Sequence, residues 1–171
     1  MKAETRREKI LDMLKNRREP LSASALAQEF SVSRQIIVGD VAILRAAGNE
    51  ITATPRGYLL QTARPDGEIR RVACIHTSDD MESELNICVD YGCSVLDVIV
   101  EHPVYGQLTG ELQVHSRYDV SQFIKKAKKE GAHALSELTD GVHLHTLSCP
   151  TKEAFERTCT ALREAGFLYG E

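Results

Sequence analysis

The 171 residues, 42% hydrophobic and 27% charged, describe an ordinary globular chain of one large or two small domains. No run of about eighteen apolar residues occurs, so no membrane-spanning helix is expected. The polar, helix-patterned opening MKAETRREKILDML does not read as a secretion signal, so a cytoplasmic protein is expected. The net charge of −4 counts against nucleic acid only as an average, because residues 1–60 carry ten Lys and Arg against seven Asp and Glu while the remainder is acidic.

A basic head on an acidic body suits a chain that meets phosphate through one end. Helical spacing of Ile10, Leu11 and Leu14 predicts a first helix over Thr5–Asn16, stopped by Pro20. Ser22 is placed to cap a short second helix through Phe30. Ser31-Val32-Ser33 makes a tight turn, and Ser33 caps a third helix that buries Ile37, Val41 and Leu44 and stops at Gly48. Two short helices joined in this way are helix-turn-helix geometry, with the second helix leading into the major groove. Its first residues, Ser33, Arg34 and Gln35, are the candidate DNA contacts, since Arg and Gln reach base edges or phosphates. Ile51–Tyr58 then reads as a β-hairpin whose tip carries Arg56, a fourth candidate contact.

The polar stretch QTARPDGE, Gln61–Glu68, separates a head of residues 1–62 from a second domain of residues 69–171. Strands are expected at Arg71–His76, Val95–Val100 and Gly110–His115, the last two joined through the turn His102–Gly106. Helices are expected at Asp79–Tyr91, with Asp79 and Glu82 as a capping pair, at Asp119–Glu130 with Asp119 as its cap, and at Thr151–Ala165. Ala134–Leu138 and Val142–Leu147 read as a hairpin. The order β-α-β-β-α-β-β-α implies an antiparallel two-layer α/β sandwich behind the winged helix-turn-helix, an α+β chain overall.

All six histidines fall after residue 75. His143 and His145, two apart on a strand, project from one face. His76 closes the first strand of this domain, and Glu84 sits on the shoulder of a buried helical stripe, where an unpaired carboxylate is costly. Two arrangements fit. Either the four groups share a divalent ion, for which three imidazoles and a carboxylate favour Zn, Ni, Fe or Co, or the His-x-His pair faces solvent and Glu84 meets a lysine. His102 and Tyr105 in the HPVYG turn, and Arg117 in SRYDV, are candidate ligand-binding residues. Each also has a plain structural role open to it: turn, packing and corner respectively. The five cysteines lack CxxC spacing and read as buried free thiols of a reducing compartment; Cys149 stands out by following His145 by four residues.

The stretch LSASALAQEFSVSRQIIVGDVAILRAAGNEITATPRGYLL resembles the winged-helix heads of many bacterial regulators, including biotin-repressor-like ones. DVIVEHPVYG, SRYDV and LTDGVHLHT are similar to the histidine-bearing 3H domain. Together they make nearly the whole chain resemble the NiaR-type, niacin-responsive transcriptional repressors. Gly39 departs from such heads, which often carry a polar or basic residue there. The resemblance implies a non-enzymatic repressor of NAD-biosynthesis or niacin-uptake genes. It implies a metal held by His76, Glu84, His143 and His145, nicotinic acid as co-repressor, and a homodimer on a double-stranded DNA operator. In that scheme ligand favours a dimer with recognition helices about 34 Å apart, one turn of DNA. The rival expectations are a regulator whose effector is the metal itself and, more remotely, a metallohydrolase with a regulatory head.

Overall fold

The computed structural model describes residues 2–60 and 67–170. The chain divides into two compact units, Met1–Arg64 and Pro65–Glu171. Most of the stretch read as a linker, residues 61–66, lies outside the described residues.

The first unit holds α1 (Ala3–Lys15), α2 (Ala23–Glu29) and α3 (Arg34–Ala46), followed by an antiparallel hairpin of β1 (Ile51–Thr54) and β2 (Gly57–Leu60). Ser22 and Ser33 cap α2 and α3, their hydroxyl oxygens accepting from the amides of Ala25 and Ile36. The three helices close a core around Ile10, Leu14, Leu26, Ile37, Val41 and Leu44. The hairpin docks against the helices through paired backbone bonds between Leu21 and Tyr58. That approach requires Gly57, where a Cβ would stand 2.4 Å from the Leu21 carbonyl carbon at a φ of +142°.

The second unit is a four-stranded antiparallel sheet, order β3-β6-β4-β5, built from β3 (Glu68–Ile75), β4 (Ser94–His102), β5 (Gly106–Val114) and β6 (Val142–Cys149). The helices α4 (Met81–Asp90), α5 (Arg117–Glu130) and α6 (Lys152–Glu164) share one apolar core with it. The sheet residues in that core include Val72, Val95, Val114 and Leu147, and these lie on one face.

Four expectations are corrected. Leu135–Thr139 is a 3-10 turn, not a strand, so the order is β-α-β-β-α-β-α. Leu135 and Leu138, three apart, fall on one side of a 3-10 turn, and here the Gly141 amide closes it on the Ser136 carbonyl, with Asp140 in the left-handed region at φ +51°. Freed from a hairpin, β6 takes the central place between β3 and β4. Asp79 and Glu82 are not a capping pair: Ser78–Asp80 forms its own 3-10 turn, and the Thr77 hydroxyl donates to Asp80. Ser116, not Asp119, caps α5 by accepting the Asp119 amide, while Asp119 in the first turn accepts the amide of His115. Finally, Cys93 and Cys149 are paired as a disulfide, because their Cα atoms at the start of β4 and end of β6 stand 4.3 Å apart. Cys74, Cys88 and Cys159 are not disulfide-bonded.

Candidate functional site

The β3–β6 register places His145 opposite Val72 and His143 opposite Cys74, so both imidazoles share the helix-bearing face with those core residues. His76 follows β3 by one residue. Glu84 enters from α4, one turn before Cys88 and beside Leu85, both buried. The same amphipathic face that anchors α4 therefore drives its carboxylate into the core. Glu84, His143 and His145 are buried, and the His76 side chain is only 3% exposed although its main chain remains open.

Glu84 is the hub. Its Oε2 lies 2.7 Å from His76 Nε2 and 3.1 Å from His145 Nε2, and its Oε1 lies 3.1 Å from His143 Nε2. Neighbouring rings meet edge-on at 4.8 Å. Each imidazole is held from behind: the Nδ1 atoms of His76, His143 and His145 stand 2.7, 2.9 and 2.6 Å from the carbonyls of Thr77, Gly141 and Asp97. A neutral imidazole donating from Nδ1 presents Nε2 as a bare lone pair. Three such lone pairs then face one carboxylate, an arrangement that calls for positive charge between them. Approach of the Gly141 backbone to His76 needs glycine, since a Cβ there would lie 2.5 Å from the His76 carbonyl oxygen at a φ of +92°.

In the absence of an ion, protons supply that charge. Burial works against ionising His145 and His76, but charge attraction and hydrogen bonding from Glu84 outweigh it and raise both. Burial likewise opposes ionised Glu84, and the three histidines overcome it, holding the carboxyl well below its usual range. His76 Nε2, with Glu84 Oε2 at 2.7 Å, is paired to the same carboxylate as the other two rings. Three Nε2 atoms and a carboxylate converge on one point, and the chemistry of these donors fits a divalent transition metal. Cys74 was not singled out in the sequence; it is fully buried beside the cluster, and burial together with Glu84 pushes its thiol far up. Its only signal was a position two residues before His76.

The other ligand candidates lie apart from these four. His102 accepts from the amides of Val104 and Tyr105 and orders the β4–β5 turn. Tyr105 is exposed at the tip, its ring 5.0 Å from that of His102. Arg117 pairs through two nitrogens with Asp90, six residues along α4 from Glu84 and hence about 9 Å further down its axis. In the first unit Ser33 is engaged as a cap, whereas Arg34 and Gln35 are exposed on the first turn of α3 and Arg56 is exposed at the hairpin tip. Gly39, on the same open face of α3, has nothing within 4 Å of where a Cβ would stand.

Residues 69–171 match the 3H domain family, and residues 6–59 match an HTH domain family. The chain is 45% identical over 166 residues to the transcription repressor NadR of Bacillus subtilis, covering 95% of this chain and 92% of that protein. It is 43% identical over 162 residues to the probable transcription repressor NiaR of Thermotoga maritima, with the same coverage of both chains.

Proposed function

Because this chain belongs to the 3H-domain family of helix-turn-helix transcription repressors, we propose that it represses NAD-biosynthesis or niacin-uptake genes with nicotinic acid as co-repressor. The α3 helix enters the operator major groove, Arg34 and Gln35 leading, with Arg56 at the backbone or minor groove. A homodimer presents two such helices to two half-sites. Its relatives are named repressors, not enzymes, and among the described residues no helix is long and apolar enough to cross a membrane.

The observation that carries the sensor reading is the convergence of three imidazole Nε2 atoms on buried Glu84. His76, Glu84, His143 and His145 would hold the ion, and a bound Zn, Ni, Fe or Co would offer nicotinate an open position for its carboxylate or ring nitrogen. Beside His76 opens a cleft of about 400 Å³, walled by the end of β3, the Ser136–Asp140 turn and Gly141. Its acidic rim residues, Glu137 and Asp140, repel a free carboxylate, so nicotinate would enter only by bonding to an ion held at His76. His102, Tyr105 and Arg117 stand outside this cleft, and the proposal gives them no ligand contact.

Calorimetric titration of nicotinate into metal-loaded and chelator-stripped protein, with nicotinamide as control, tests the reading. Binding of nicotinate to the loaded protein alone is expected. Confirmed metal with no nicotinate heat leaves the rival in which the ion itself is the effector.

A further inference from the structure

We propose that Cys74 is a fifth protein ligand of the metal centre, its thiolate joining His76, Glu84, His143 and His145. The inference rests on the metal reading above and adds a donor atom to it. Cys74 lies two residues before His76 and directly opposite His143 in the β3–β6 register, so its side chain shares their face. Its sulfur, a Glu84 carboxylate oxygen and a His143 ring nitrogen all stand within 4.8 Å of one another. Donors bound to one ion at about 2.0–2.3 Å stand roughly 2.8–3.3 Å apart at neighbouring positions of a five- or six-coordinate centre. Side-chain rotations that draw these groups in by about 1.5–2 Å therefore close the set.

Charge gives the chemical reason. Three neutral imidazoles and one carboxylate leave a divalent ion with one uncompensated positive charge in a buried place, which is costly. A thiolate brings the sum to zero. As the ion enters, the thiol proton leaves to solvent and a sulfur lone pair forms the new bond. Sulfur also narrows selectivity, favouring Zn, Co and Ni over Mg and Mn.

The test is a cobalt(II) titration of the full-length, metal-free protein under reducing conditions, read by absorption. The wild type is expected to develop a near-ultraviolet thiolate-to-cobalt charge-transfer band together with visible d–d bands. Cys74→Ser is expected to lose the first and keep the second. Its cobalt affinity should fall by at least the roughly 10–100-fold that loss of even an outer partner costs. Cys88→Ala, one turn from Glu84, should retain both features. Visible bands without a charge-transfer band in the wild type overturn the proposal without any variant, as does a band that survives in Cys74→Ser. Failure of cobalt to bind at all overturns instead the metal reading on which it rests.

Discussion

The N-terminal unit keeps its candidate DNA contacts out of its core: Ile37, Val41 and Leu44 hold α3 in place while Arg34 and Gln35 stand in solvent on the same helix. The C-terminal unit does the opposite. Glu84, His143 and His145 lie at the same depth as Leu85, Cys88 and Leu147. A surface contact can be lost without touching the fold, whereas a buried charged cluster is part of the fold. The head also buries one charge, Asp40, but satisfies it internally with Arg6 at 2.6 Å and Arg7 at 3.5 Å. Glu84 is ringed instead by groups whose charge depends on protons or an ion.

The sharpest way to break this contrast is Glu84→Ala. It leaves three buried imidazoles facing one another, and a loss of about 3–5 kcal/mol is expected in chelated protein near pH 6. Urea denaturation should show it in the C-terminal unit alone, and metal uptake should fall with it. An unchanged transition would mean the cluster contributes nothing to the fold. Next comes Asp40→Ala, expected to cost the head about 2–3 kcal/mol, less than a fully buried pair because Arg6 and Arg7 retain some exposure. Metal and nicotinate binding should not move.

Gln35→Ala and Arg34→Ala are expected to weaken operator binding by about 1–3 kcal/mol each when they read bases. Melting temperature should stay as in the wild type. A parallel fall in melting would place these side chains in the fold rather than at the groove.

The smallest effect is a pH window. Glu84 is lowered from an ordinary 4.5, so its contribution is present above that pH and lost as pH falls through the folded value. His76 and His145 are raised from 6.5, so theirs is complete below 6.5 and lost as pH rises through the folded values. Chelated protein should therefore melt highest between about pH 4.5 and 6.5. Metal loading should abolish the decline on the alkaline side; a flat profile in chelated protein would show that the cluster does not titrate as a unit.

Much of the head was legible because its signals are local. Ser22 and Ser33 announce their caps, the 3.6-residue period selects Ile37, Val41 and Leu44, and the Pro-Arg-Gly turn joins two short strands. The second unit yielded its long, strongly patterned elements and withheld the short ones. Ala134–Leu138 is too short for its pattern to separate a strand from a 3-10 turn, whose three-residue period Leu135 and Leu138 satisfy. Ser116 and Asp119 both carry N-cap chemistry, and only the hydrogen bonds they make assign the cap to Ser116.

Residue chemistry and strand parity were enough to nominate His76, Glu84, His143 and His145, since i and i+2 share a face whatever the sheet order. What tertiary structure alone decided is their meeting point. It set β6 between β3 and β4, laid α4 across them, turned three Nδ1 atoms to backbone carbonyls, and brought Cys74 opposite His143 and Cys93 beside Cys149. The last two contacts join residues 69 and 56 apart in the chain. Sequence spacing carries no information about such distances, because they are set by which strands pair and which faces pack.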